Sequence, residues 1–270
     1  MGYLAACYYG HPSRALEMIG ITGTSGKTSV AYQLAEAKSL LGKASYYIGT
    51  LGYGQVQAIT SAVNTTPDGL CLQQYLYHAR QEGCVAACLE VSSHALAMGR
   101  VAGVHFDQAI FTNLSHEHLD YHHTMKAYAA AKALLFASSD LKHVILNGDD
   151  AASAQMQAMV SSPQTHLWHY GLTEKFPISA TDVQLTIEGT TFQLKTPWGN
   201  GAARIRAIGQ FNVYNTLALI TSLLCSEVPF QQVLDVLPYL SIVPGRMETV
   251  FLKPWIVVDY SHKPEALTKA

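Results

Sequence analysis

The chain has 270 residues, 49% of them hydrophobic, with 17 Lys and Arg against 19 Asp and Glu and a formal net charge of -2. That length and apolar content allow one large α/β domain or two smaller ones. The balanced charge, without a run of one sign, argues against a nucleic-acid or anionic-membrane binder, and the longest apolar stretches fall far short of the roughly 20 residues that a membrane span needs.

Residues 1–17 are too short for a domain, carry a Gly-His-Pro-Ser turn signal and show no charged-then-apolar leader pattern, so no secretory signal is expected. The stretch IGITGTSGKTS at 19–29 predicts a buried strand (18–21), a glycine loop and a helix (27–41) stopped by Gly42. Such a loop turns backbone N–H groups toward an anion at a helix N-terminus, with Lys27 adding charge and Thr28 able to ligate Mg²⁺. A nucleotide triphosphate is the expected ligand, although Ile21 stands where the strict phosphate-loop pattern has its first Gly. A strand at 44–50 follows. In Asn64-Thr65-Thr66-Pro67-Asp68, capping of a helix reaching about residue 81 accounts for Thr66 as N-cap, Pro67 and Asp68, while Asn64 and Thr65 leave room for a second anionic ligand at that N-terminus.

The run CVAACLEV at 84–91 reads as a central parallel strand, and its cysteines as core residues. Five cysteines at irregular spacing fit a reducing compartment. Glu90 ends this strand, where a buried carboxylate requires a cation or strong donors; a Mg²⁺ role is favoured over a structural ion pair. Ser92-Ser93-His94 lacks the elbow of a serine nucleophile. After a strand at 107–112, the histidines of 116–123 lack the spacing of a zinc set; His116, His122 and His123 read as surface residues, and His118 as a possible part of a magnesium-nucleotide site. Lys132, in an apolar helix at 124–137, reads by itself as a snorkelling lysine. A strand at 144–146 and the turn Asn147-Gly-Asp-Asp close a β/α pattern that predicts a mainly parallel sheet covered by helices.

From 165 to 208 the period changes to two, predicting a small antiparallel sheet with strands at 166–170, 181–187, 191–196 and 203–208. Helices at 209–225 and 230–237 follow, then Pro-Gly-Arg246, a strand at 255–259 ending in Asp259, and Tyr-Ser-His-Lys-Pro before a helix start.

Taken in order, GTSGKTS, NTTPD, EVSSH, TNLSHEHLDYH, YAAAKALLF, GQFNVYN, PGRME and VVDYSHKPEAL resemble the Mur ligase family over about residues 3–270, most closely its branch that extends a muramoyl dipeptide to a tripeptide. The resemblance implies a P-loop NTPase-like α/β fold with residues 1–17 as a linker from an upstream domain, 18–243 as the central ATP-binding domain and 244–270 as the start of a further one. It implies a cytoplasmic, monomeric, ATP-dependent ligase of peptidoglycan precursors, in which a carboxylate of UDP-MurNAc-dipeptide becomes an acyl phosphate taken by a diamino acid. Gly23, Thr24, Ser25, Gly26, Lys27, Thr28 and Ser29 would hold the triphosphate, Asn212 and Asn215 the adenine side, Arg246 a phosphate and Asp259 the ribose. Thr28, Glu90, His118 and Lys132, the last carbamylated by CO₂, would serve Mg²⁺, with Lys27, Glu90, His118 and Lys132 in the catalytic roles. An ammonium about 4 Å from Mg²⁺ is repelled by several kcal/mol whereas a carbamate is attracted, which displaces the snorkelling reading. Asn64, Thr65, Thr66, Ser92 and Arg100 would hold the nucleotide-sugar dipeptide. Glu117, Ser261 and Met98 depart from the family pattern, Met98 at a position where some relatives place a substrate-binding Gln. A folylpolyglutamate synthetase-like ligase and a nucleotide-binding module without turnover are the alternatives.

Overall fold

The computed structural model describes residues 1–252 and 255–260. The chain begins with α1 (Gly2–Tyr8) and a 3-10 turn at Pro12–Ala15, then enters β1 (Glu17–Thr22) and, after the glycine loop, α2 (Lys27–Leu40). β2 (Ser45–Gly49) turns back through the short β3 (Gly52–Gly54). Next come α3 (Gly69–Gln81), β4 (Ala86–Glu90), α4 (Ser93–Ala97), β5 (Gln108–Phe111), α5 (Leu119–His122), α6 (Met125–Ala133), β6 (His143–Asn147) and α7 (Ser153–Gln157). The remainder supplies β7 (His166–Gly171), β8 (Ile178–Thr186), β9 (Gly189–Thr196), β10 (Gly199–Ile205), α8 (Gln210–Cys225), α9 (Phe230–Val236), β11 (Glu248–Leu252) and β12 (Trp255–Val258).

Ten strands form one sheet in the order β10-β9-β8-β7-β6-β5-β1-β4-β2-β3. From β2 across β4, β1, β5, β6 and β7 to β8 every pairing is parallel, so these strands end at a common edge. The alternation of side chains along β1 divides the core between the two faces. Ile19 and Ile21 pack with Val30 and Leu34 of α2 and Leu217 of α8, whereas Met18 packs with Leu72 and Leu76 of α3 and with Phe136. Among the described residues no helix is long and apolar enough to cross a membrane.

Three expectations change. The strand at 166–170 is not part of an antiparallel unit: β7 runs parallel to β6, and the antiparallel strands β8–β10 extend the edge of the main sheet instead of standing apart from it. Thr66 does not cap α3. Asp68 does, accepting from the Leu70 and Cys71 N–H groups at 2.9 and 3.1 Å, because the Thr66 hydroxyl is already committed to the Glu90 carbonyl at 2.8 Å. The helix expected at 124–137 tightens into a 3-10 turn at Leu134–Ala137. β12 pairs with β11 in a separate antiparallel hairpin that periodicity did not predict, and the expected Tyr-Ser-His-Lys-Pro helix start lies outside the described residues beyond Tyr260.

Candidate active site

The loop between β1 and α2 is gripped by the segment after β5. Thr24 N–H donates to the Asn113 carbonyl at 2.8 Å, and the Asn113 side chain pairs with Ser25 in both directions, accepting from its N–H and donating to its carbonyl at 2.9 Å each. Thr112 Oγ1 donates to the same Ser25 carbonyl at 2.6 Å. Side chains are excluded from this cradle: a Cβ on Gly23 would collide with Thr112 Oγ1, and one on Gly26, whose φ is +88°, with Asn215 Oδ1. Lys27 Nζ folds back on the loop, donating to the Gly23 and Thr24 carbonyls at 2.9 and 3.0 Å. Both acceptors are neutral, and burial pulls the Lys27 pKa down, with Arg246 adding to the fall and Glu90 opposing it. A glycine cradle at a helix N-terminus with a cation short of an anion fits a phosphate chain.

Glu90 reaches this cradle from the end of β4, fully buried. Its Oε2 accepts from Thr28 Oγ1 at 3.0 Å and Thr50 Oγ1 at 3.2 Å; its Oε1 accepts from Tyr47 OH at 2.6 Å and Thr50 N–H at 2.9 Å. Burial and the Glu90 charge raise the Tyr47 phenol far above its ordinary range, so it remains a donor. Arg246 Nη2 approaches Thr28 Oγ1 at 3.3 Å, bringing the segment after α9 to the same place.

On the other side stand His118 and Lys132. His118 occupies the left-handed region (φ 55°) just before α5, with its ring edge-on to His94 at 4.8 Å and its Nε2 3.4 Å from Glu117 Oε1. Burial, then the neighbouring His94, Lys132 and Lys27, pull it down to about 4, which leaves a neutral imidazole at pH 7, the form that binds metals. Lys132 does not snorkel: it is 1% exposed, donates from Nζ to the Gly23 carbonyl at 2.7 Å and lies over the Tyr128 ring at 4.3 Å. Burial and then Lys27 hold its pKa well below the ordinary lysine value. His122, expected at the surface, is buried with Nε2 2.9 Å from Ser93 Oγ, because α5 folds onto the start of α4; His116 and His123 are exposed as expected. Among the described residues no three His, Cys, Asp or Glu side chains converge on one point. A divalent cation here would therefore need oxygens from the nucleotide and water beside those of Thr28 and Glu90, an arrangement usual for magnesium.

The residues expected to hold the nucleotide-sugar peptide also gather. Thr66 Oγ1 accepts from Ser92 N–H at 3.0 Å, Arg100 Nη1 donates to the Thr66 carbonyl at 3.0 Å, and Thr65 Oγ1 lies 3.1 Å from Thr50 Oγ1. Asn64 is exposed beside them, and Met98 Sδ lies 3.3 Å from Arg100 Nη2. Ser92 caps α4 through Ala95 N–H at 3.2 Å. Asn212 and Asn215, buried in the first turns of α8, are joined at 3.2 Å, and Asn215 Oδ1 faces Gly26. Ser29 is buried in the first turn of α2. Asp259 accepts from Met247 N–H at 2.7 Å and so fixes the turn that follows Arg246. Periodicity and motif reading missed Tyr47, Thr50, Thr112 and Asn113. Thr50 and Thr112 had one usable signal, since each directly follows a strand of the parallel sheet.

A parallel sheet whose strand ends converge on a glycine loop, with Lys27, Thr28 and Glu90 around it, defines a phosphate-loop nucleotide-binding domain. A family model described as the Mur ligase middle domain matches residues 21–223, and the chain belongs to the Mur ligase family. It is 42% identical over 273 residues to a Neisseria meningitidis protein named UDP-N-acetylmuramoyl-L-alanyl-D-glutamate--2,6-diaminopimelate ligase, an alignment covering 100% of this chain and 56% of the relative. A Chromobacterium violaceum protein of the same name is 42% identical over 271 residues, covering 100% of this chain and 55% of that one. A solved structure of a protein with that name superposes with a TM-score of 0.88 at 33% identity, over 98% of this chain and 56% of that one. A Mycobacterium tuberculosis folylpolyglutamate synthase shares the fold, with a TM-score of 0.80 at 16% identity over 98% of this chain and 67% of that one. The chain thus spans little more than half the length of the diaminopimelate ligases it matches.

Proposed function

We propose that this chain is the ATP-binding part of a ligase that joins 2,6-diaminopimelate to UDP-MurNAc-L-Ala-D-Glu in the cytoplasm, as a step of peptidoglycan precursor synthesis. The observation that carries the reading is the placement of Lys27, Thr28 and Glu90 around a loop whose Gly23 and Gly26 leave no room for a Cβ, with contacts at 2.9 and 3.0 Å that connect the glycine loop, α2 and β4. Support for the amino acid comes from the relatives named as diaminopimelate ligases, to which the chain is 42% identical. The folylpolyglutamate reading retains only a likeness of fold. In the proposed organisation residues 1–17 lead in from an upstream domain, 18–243 bind ATP, 244–270 begin a further domain, and the protein works as a monomer.

In this reading Gly23–Ser29 take the triphosphate, and Lys27 leaves its two carbonyl acceptors for the transferring phosphoryl group, where a full charge offsets developing charge. Asn212 and Asn215 face the adenine, Arg246 a phosphate and Asp259 the ribose. Asn64, Thr65, Thr66, Ser92 and Arg100 position the dipeptide carboxylate. That carboxylate oxygen attacks the γ-phosphorus, ADP departs, and the amine then displaces phosphate to leave the amide. Thr28, Glu90 and His118 have the donor chemistry for Mg²⁺, which when bound neutralises phosphate charge. Lys132, whose pKa burial lowers, is able in its deprotonated form to add to CO₂ through its lone pair and lose a proton, giving a carbamate anion.

The test uses a protein of the relatives' length that carries this domain. Glu90→Gln and His118→Ala are expected to lower diaminopimelate ligation far more than ATP binding, and Lys132→Ala to lose ligation that acetate partly restores. Equal ligation at saturating Mg²⁺ in the first two variants would remove them from the site. Full activity of Lys132→Ala, or a loss insensitive to both acetate and bicarbonate, would remove the carbamate.

A further inference from the structure

Tyr47 lies on β2, fully buried, with its ring edge-on to that of Tyr32 in α2 at 5.8 Å. Its hydroxyl is committed twice: it donates to Glu90 Oε1 at 2.6 Å and accepts from Leu51 N–H at 3.2 Å. Thr50 N–H gives the same carboxylate oxygen a second bond at 2.9 Å. The approach depends on Gly49, where a Cβ would collide with both Glu90 Oε1 and the Tyr47 hydroxyl.

The second oxygen is held differently. Among the described residues Glu90 Oε2 accepts only from the Thr28 and Thr50 hydroxyls, at 3.0 and 3.2 Å, and each hydroxyl has a second contact: Thr28 Oγ1 accepts from Arg246 Nη2 at 3.3 Å, and Thr50 Oγ1 lies 3.1 Å from Thr65 Oγ1. A hydroxyl rotates at little cost and turns from donor to ligand, whereas a backbone N–H and a doubly bonded phenol do not. The two oxygens of Glu90 are therefore unequal: Oε1 is anchored and Oε2 is free to be given up by its donors.

We propose that Tyr47 is a positioning residue that clamps Glu90 through Oε1, so that Oε2 alone is presented, beside Thr28, to a divalent cation. This rests on the nucleotide-cation reading above. Magnesium-type sites demand a fixed ligand geometry, and a carboxylate pinned by one oxygen offers a single oxygen in one direction. Outer partners of this kind typically account for about 10- to 100-fold in metal affinity.

The experiment titrates Mn²⁺, followed by electron paramagnetic resonance, into the chain saturated with β,γ-methylene-ATP, for the wild type, Tyr47→Phe, Thr50→Val and Tyr32→Phe. Tyr47→Phe removes only the hydroxyl and is expected to raise the Mn²⁺ Kd about tenfold. Thr50→Val, at an exposed position, keeps the N–H that anchors Oε1 and removes only a donor that Oε2 gives up, so it does not raise the Kd; Tyr32→Phe, which alters the neighbouring ring without touching Glu90, leaves it unchanged. Mn²⁺ affinity in Tyr47→Phe within twofold of a wild type that does bind, or a loss in Thr50→Val as large as in Tyr47→Phe, overturns the clamp, whatever happens to the melting temperature. Absence of Mn²⁺ binding in the nucleotide-saturated wild type overturns the cation reading itself, and the clamp with it.

Discussion

At the amino-terminal edge of the parallel strands Lys38 is fully buried and meets Glu17 Oε2 at 2.7 Å, with Ser226 Oγ at 2.8 Å and Gln108 Nε2 completing the carboxylate at 2.9 Å. At the opposite edge Lys132 is equally buried, yet its partners are a carbonyl oxygen and an aromatic face. Lys27 likewise rests on two carbonyls. One edge neutralises its buried charge within the chain, tying β1, α2, β5 and α8 together. The other holds cations on neutral acceptors and one carboxylate oxygen, Glu90 Oε2, on hydroxyls, partners that a phosphate or a cation could outcompete. Buried charge with an internal counterion serves the fold, and buried charge without one marks the site.

The sharpest way to break this contrast is to remove each lysine. Lys38→Ala leaves Glu17 without its counterion and is expected to cost about 3–5 kcal/mol by denaturant unfolding, whereas Lys132→Met, which deletes an amine held by a carbonyl and an aromatic face, leaves stability unchanged or raises it. Comparable losses in both would erase the distinction.

Acid separates the edges next. His118 is pulled down to about 4 and His94 and His122 are also lowered from 6.5, in each case first by burial. Between the folded and ordinary values the unfolded chain binds more protons, so this contribution is complete above about pH 6.5 and is lost as pH falls toward about 4. Glu17 is pushed up by burial but more strongly down by Lys38, Ser226 and Gln108, so its contribution is lost only as pH falls from about 4.5 through its lowered value. The melting temperature should therefore begin to fall on leaving neutrality, and His118→Gln should flatten the early part while leaving the late part intact. The smallest expected effect is Asp68→Ala, which removes the α3 cap for about 1 kcal/mol.

Much of the site edge was legible because local chemistry dictates it. A glycine loop between an apolar run and a helix, and a carboxylate ending a doubly buried strand, place Lys27, Thr28 and Glu90 without reference to anything distant. What remained hidden depends on contacts far apart in sequence. Asn113 lies 88 residues from Ser25 and Tyr47 43 residues from Glu90, and no period or spacing announces either pairing. His122 looked exposed among polar neighbours because its burial comes from the fold of α5 onto α4. The cap was misplaced for a related reason: Thr66 has good capping chemistry, but the Glu90 carbonyl, 24 residues on, competes for its hydroxyl. The antiparallel strands were legible by their alternation, but nothing in it showed that β8 would add parallel to β7 and so lengthen the main sheet.

The central claim is that the cations of the carboxyl edge, resting on carbonyl oxygens, await a triphosphate, and calorimetric titration of this chain with Mg²⁺ and β,γ-methylene-ATP tests it most directly. The wild type is expected to bind one equivalent and Lys27→Ala none measurably, with the melting temperature of the variant preserved. Equal affinity in the two proteins, or no heat of binding in the wild type, would contradict it.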